Sequence, residues 1–285
     1  MNENYDEKKL DDLFNRANDF HNSSEYQSAI DLLDQYLSVR EYDVAFYLRA
    51  FCFLETGDSK KALSDFSSAE NINDKDARYP TAKALTHTKL NQYEDAISSY
   101  NKVIALNPSV FSYSNRAILH REMGDYESAL NDYSEAIKLD SGKGSLYVSR
   151  SSIYKRMGDL DSVWENLEKA VEVEPDNLST YLDALEMYIT TESYREGFAY
   201  IEKHGDHVLS IGNNRYKLLF LYLKATVFIC LNMGIESFED EIKKIAKEGL
   251  DLEWYFGHTR NWLEESELMQ DKKDKIEELT DLVEL

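Results

Sequence analysis

The sequence predicts an all-α fold, an array of helix pairs stacked along the chain. Three observations carry that expectation. First, "GDYESALNDYSEAIKL", from Gly124, is echoed by "GDSKKALSDFSSAENI" from Gly57, "NQYEDAISSYNKVIAL" from Asn91 and "GDLDSVWENLEKAVEV" from Gly158. Weaker copies begin at Ser24 ("SEYQSAIDLLDQYLSV") and Glu192 ("ESYREGFAYIEKH"). Second, the copies recur every ~33 to 34 residues, a period that marks a repeated supersecondary unit. Third, each copy opens on turn chemistry and continues at helical spacing.

The turn residues justify each helix boundary. Gly57, Asn91, Gly124 and Gly158 fall where one helix must end, and glycine and asparagine tolerate the left-handed backbone that ends it. Asp58, Asp125 and Asp159 follow as N-caps of the second helix. Ser193 and Glu196 read as an S-x-x-E capping box in the last copy. The first and last copies lack the turn glycine. Pro108 and Pro175 come just after second helices, where proline stops a helix.

The pattern resembles the tetratricopeptide repeat, two antiparallel helices with small residues at repeat positions 8, 20 and 27. In that register the copies begin near Leu10, Asp43, Ala77, Val110, Gly144 and Leu178. Position 8 holds Ala17, Ala50, Ala84, Ala117, Ser151 and Leu185; position 20 holds Ala29, Ala62, Ala96, Ala129, Val163 and Gly197. Small residues there let two helices approach closely. Position 24 is an apolar anchor: Leu33, Phe66, Tyr100, Tyr133, Leu167 and Ile201. The resemblance implies a right-handed α-solenoid. It divides the chain into an N-terminal extension (1–9), six repeats with the sixth degenerate (10–211), a seventh helical pair (212–249) and C-terminal capping helices (250–285).

In the seventh pair, the apolar run Tyr216–Gly234 is interrupted by Lys217 and Lys224, so it reads as a buried helix and not as a membrane span. Its partner carries Phe238, Ile242 and Ile245 at helical spacing. Two further helices place Leu252, Tyr255, Thr259 and Trp262 on one face, then Ile276, Leu279 and Val283 on another. Terminal units of a solenoid cover an open end of core. The alternative is that the last helix lies in the groove as an internal ligand.

Composition narrows the function. The 54 acidic and 32 basic residues give a net charge of −22, which opposes nucleic acid and anionic membranes and favours basic partners or plain solubility. Cys52 and Cys230 stand far apart in apolar runs without a CxxC, as buried free thiols of a reducing compartment. With no secretory h-region in the opening residues, a cytoplasmic location is expected. No nucleotide loop, nucleophile elbow or zinc motif occurs, so neither catalytic residues nor a metal or cofactor is expected. His204 and His207 lack a further ligand pair and read as a surface turn. His87 and His120, at position 11, read as packed rings.

Position 7 is basic in five copies: Arg16, Arg49, Lys83, Arg116 and Arg150. Such a ladder could bind phosphate, but Asp65 and Asp132 stand at position 23 beside Arg49 and Arg116, and an ion pair across the helical hairpin explains that match. In solenoids of this family the first helices line a concave groove through positions 2, 5, 6, 9 and 12. The resemblance thereby nominates Val44, Tyr47, Leu48, Phe51, Arg78, Leu85, Phe111, Asn115, Ile118, Arg121 and Lys155. This surface is apolar and mildly basic, as a contact surface would be; the alternative is packing between helices. Of the five residues with which chaperone-binding members clamp a terminal carboxylate, only Asn115 is present, so no clamp is expected. The reading is a non-enzymatic scaffold holding a protein or peptide. The second reading is a structural subunit self-associating through Tyr216–Gly234.

Overall fold

The computed structural model describes residues 7–250, 252, 254 and 256–284. Every regular element among them is an α-helix. The chain divides into two compact units, Met1–Leu139 and Asp140–Leu285.

The first unit pairs α1 (Glu7–Asn22) with α2 (Tyr26–Leu37), α3 (Asp43–Glu55) with α4 (Ser59–Ile72), α5 (Arg78–Lys89) with α6 (Tyr93–Leu106), and α7 (Val110–Glu122) with α8 (Tyr126–Leu139). α2, α4 and α6 also pack on α3, α5 and α7, the first helices of the next pairs. The small residues sit at these crossings. Ala17, Ala50, Ala84 and Ala117, with Ala29, Ala62, Ala96 and Ala129, are wholly inaccessible. The position-24 anchors Leu33, Phe66, Tyr100 and Tyr133 are buried beside them, each contributing about 1.5–3 kcal/mol.

The second unit continues with α9 (Gly144–Met157), α10 (Leu160–Val173), α11 (Leu178–Thr190), α12 (Tyr194–Ile211), α13 (Asn214–Cys230), α14 (Glu236–Ala246), α15 (Gly257–Glu265) and α16 (Gln270–Glu284). At Gly197 an added Cβ would meet Tyr188 Cβ at 3.0 Å, the close approach that position 20 requires. α12 has 18 residues and α13 has 17, against 14 in α10 and 13 in α11. The longer α12 widens the spacing between α11 and α13, the first helices of the sixth and seventh pairs.

One turn recurs throughout. Ser24, Gly57, Asn91, Gly124, Gly158, Glu192 and Asn232 all have positive φ, between 56° and 86°. In each case the next residue donates its N–H to a carbonyl five positions earlier, as in Asp58 to Phe53 at 2.7 Å and Ser193 to Tyr188 at 2.9 Å. The first and sixth pairs therefore use the same turn without glycine. Asp58, Asp125 and Asp159 cap their helices as expected, accepting from Lys61, Ser128 and Ser162 N–H groups. Ser193 makes no side-chain cap bond. The capping box occurs instead between Ser109 and Ser112 at the start of α7, where serine replaces the expected glutamate.

α15 begins at Gly257 and is shorter than its sequence pattern implies; Tyr255 lies outside the described residues. Thr259 and Trp262 are buried, as are Ile276, Leu279 and Val283 of α16. α15 packs on α11, and α16 packs on α13 and α14. The contacts fall on first-helix positions. Tyr222 Oη lies 2.8 Å from Thr280 Oγ1, and its ring is 5.5 Å from that of Phe256. Thr259 Oγ1 donates to Glu186 at 3.4 Å. α15 and α16 thus pack on residues of α11 and α13, the first helices of the last two pairs.

Candidate partner-binding groove

The position-7 cations are largely consumed by structure. Arg49 Nε and Nη2 donate to both Asp65 oxygens at 2.7 and 2.8 Å, and Arg116 does the same to Asp132 at 2.8 and 2.5 Å. A third arm reaches the preceding pair: Arg49 to Asp34 and Arg116 to Asn101, both at 2.5 Å. Arg150 donates to Asn166 at 2.8 Å, and Lys83 binds Glu70 at 2.8 Å. Arg16 is exposed and, among the described residues, pairs with Asp12 on its own helix at 3.4 Å. Asp132 hydrogen bonding raises Arg116 above its ordinary pKa despite opposing desolvation. This ladder ties helices together and leaves no row of cations for phosphate.

Within the first unit, five of the expected groove residues share a concavity of about 300 Å³, and Val44, Leu48, Asn115, Ile118 and Arg121 do not line it. Tyr47, Phe51, Arg78, Leu85 and Phe111 line it, with Thr81 and Ala82. Val103, Asn107 and Ser109, also in its wall, come from the end of α6 and the following loop. These three escape a reading confined to first helices; the only sequence signal for them is the Asn107–Pro108–Ser109 stop.

The lining is graded from packed to exposed. Tyr47 and Phe51 stack edge-on at 4.8 Å, and both lean on Phe66, at 5.7 and 5.4 Å. Burial pushes the Tyr47 phenol above its ordinary pKa. Leu85 and Phe111 are the outward members of the lining, 45% and 49% exposed, while Ile118, 38% exposed, lies outside it. Val44 is half-buried. Leu48 packs against the cluster formed by α1 and α2, so it belongs to the interface between pairs.

The polar members differ from the expectation of a mildly basic surface. Arg78 makes a forked hydrogen bond to Asp76, with contacts of 2.6–3.1 Å, and that bond holds Asp76 below its ordinary pKa. Arg121 is paired with Glu122 at 2.6 Å. Asn115 Nδ2 donates back to the Phe111 carbonyl at 2.8 Å, which occupies the one clamp residue present. Lys155 lies in the second unit, where its Nζ donates to Thr190 Oγ1 at 2.5 Å. Desolvation lowers its pKa. The neighbouring acids, invisible in a list of five positions per repeat, neutralise the basic side chains.

The remaining candidates are structural. His87 Nδ1 contacts Gln92 at 2.8 Å, and His120 Nδ1 lies 3.3 Å from Asp125. His204 and His207 lie inside α12 and not in a surface turn. His204 packs on Tyr200 with ring centroids 4.5 Å apart, and His207 meets the Pro175 carbonyl at 2.8 Å. No three metal-binding side chains cluster among the described residues. Cys52 and Cys230 are buried free thiols, pushed by burial to about 11 and about 12. No helix of the described residues is long and apolar enough to cross a membrane.

An array of helix hairpins with a lined first-helix face defines a class: the helical-repeat interaction scaffolds. Tetratricopeptide-repeat family models match residues 110–143 and 144–177, in the same register as the pairs beginning at Val110 and Gly144. The model of anaphase-promoting complex, cyclosome, subunit 3 matches residues 22–103. Together these matches support a tetratricopeptide-repeat (TPR) protein. Human sperm-associated antigen 1 is 33% identical over 106 residues, which is 37% of this chain but 11% of that protein. A crystal structure of MamA protein superposes with a TM-score of 0.53 at 17% identity, covering 58% of this chain and 92% of that one. YrrB, a TPR protein with an unusual peptide-binding site, gives 0.51 at 18% identity, covering 59% and 88%. At such identities the likeness is one of fold. The fold is typically a non-enzymatic protein-interaction module, and a protein-interaction scaffold is the general role it supports.

Proposed function

We propose that the chain holds an extended or helical peptide segment of a partner protein across α3, α5 and α7. One observation carries this reading: Leu85 and Phe111 remain largely exposed while lining a concavity floored by Tyr47 and Phe51. An apolar side chain inserted there would gain about 1.5–3 kcal/mol if fully buried, and the groove mode of peptide recognition uses such anchors. Peptide binding by YrrB, a neighbour in fold, is consistent with it. Packing of α15 on α11 and of α16 on α13 favours the first unit in this reading.

The test is a double substitution, Leu85→Ser with Phe111→Ser. Both side chains are outward, so helicity and unfolding midpoint are expected to stay close to the parent. Partner capture from native lysate is expected to fall at least tenfold, on the order of 1.4 kcal/mol. Undiminished capture by the folded double variant would refute the groove. Phe51 is a poorer probe, since it packs on Phe66. Self-association through Tyr216–Gly234 has less support, because Leu218, Leu219, Phe220, Leu221, Tyr222 and Leu223 are all buried within the second unit.

A further inference from the structure

A second concavity, of about 310 Å³, lies in the second unit away from the first-helix positions already described. Trp164 and Glu168 of α10, Tyr188 of α11, and Glu196, Tyr200 and Lys203 of α12 line it. Its walls are aromatic. Trp164 stacks on Tyr188 with centroids 4.2 Å apart and planes at 19°, and Tyr200 lies 5.3 Å from Tyr188. Trp164 is only half-buried, so part of the stacked pair faces the opening.

The charges are arranged unevenly. Glu168 is bonded to Lys203, which satisfies one end. Glu196, two helical turns from Lys203 on α12, is exposed at the other end. The Tyr200 hydroxyl is buried without a hydrogen-bond partner among the described residues. The surroundings are strongly acidic: residues 159–203 contain 12 Asp and Glu against 3 Lys and Arg. Aromatic faces attract cations through their quadrupole, and a carboxylate at the rim adds charge complementarity.

We propose that this pocket binds an alkylammonium group, the side chain of a lysine or methylated lysine on a basic partner. The cation sits against the Trp164 ring near Glu196, with the aliphatic stem along Tyr188 and Tyr200. The site is built on the second helices α10 and α12 with Tyr188 of α11, and it shares no residue with the groove across α3, α5 and α7, so either can fail alone.

The experiment uses the full chain and three five-residue peptides that differ at the central residue: lysine, trimethyl-lysine or the neutral norleucine. The indole N–H resonance of Trp164, assigned through Trp164→Phe, reports binding. Saturable shifts are expected with both cationic peptides, and at least about fivefold weaker binding with norleucine. A tighter trimethyl-lysine complex would assign the affinity to the ring faces, and a tighter lysine complex to the carboxylate; both support the site. Glu196→Gln, an exposed and nearly isosteric change, is expected to weaken the cationic peptides about three- to tenfold. Equal binding of norleucine, no change in Glu196→Gln, or no Trp164 shift at about 20 mM peptide, the millimolar regime of weak contacts, overturns the proposal.

Discussion

Arg116 and Arg16 share a repeat position but differ in what their removal exposes. Arg116 covers Asp132, whose side chain is 5% exposed, whereas Arg16 and Asp12 are 55% and 62% exposed. Truncating one partner of a buried pair strands the other charge, while an exposed pair at i,i+4 is worth little. Arg116→Ala is therefore expected to destabilise the chain by about 2–4 kcal/mol, and Arg16→Ala by less than about 0.5 kcal/mol. Urea unfolding of the two variants compares them directly, and similar losses would mean that the Asp132 bond contributes nothing beyond surface charge. Within this residue class the sequence was informative: the coincidence of position 7 with position 23 pointed to the pairs at Arg49 and Arg116. It did not reveal Glu70 as the partner of Lys83, because that contact crosses between pairs.

At the scale of the element, the recurring left-handed turn was read at Gly57, Asn91, Gly124 and Gly158, missed at Asn232, where no clear repeat copy frames it, and illegible at Ser24 and Glu192. Those two adopt φ of 61° and 57° because the flanking helices fix the geometry and override the local preference. A non-glycine residue in this region bears a steric cost of about 1–2 kcal/mol, partly offset by glycine's larger unfolded-state entropy. Glu192→Gly is expected to raise stability by about 0.5–1 kcal/mol, measured as a higher urea midpoint with an unchanged slope. A lower midpoint would show that the glutamate side chain supports the turn. The groove shows a parallel limit. First-helix periodicity found Tyr47, Phe51, Leu85 and Phe111, since they repeat; Asn107 and Ser109 come from a loop with no period. The placement of α15 and α16 was left open by sequence, because amphipathic spacing fixes a buried face and not what covers it.

For the whole molecule, the excess of acid makes stability a function of pH, and the shifted carboxyls fix its sign. Burial, with the nearby Glu186 charge, raises Asp183 to about 6, and burial raises Glu186 despite the neighbouring His258. Between about pH 6 and pH 4 the folded chain binds more protons at these groups than the unfolded chain, so stability rises as the pH falls through that window. Asp76, held low by Arg78, and Glu70, held low by Lys102 and Lys83 against its desolvation, act oppositely. Their contribution is complete above the ordinary carboxylate range and is lost only as the pH falls below it. Approach to the isoelectric point of about 4.7 also relieves the self-repulsion of 22 net negative charges. Maximal stability is therefore expected near pH 5, on the acid side of neutrality. Asp183→Asn removes a disfavoured half-buried charge, so it is expected to stabilise the chain at pH 7 by on the order of 1–2 kcal/mol and to give almost no gain at pH 4.5. Urea unfolding of parent and variant at both values makes the comparison. Destabilisation by the variant at pH 7 would mean that the Asp183 carboxylate is held by its surroundings in the charged form.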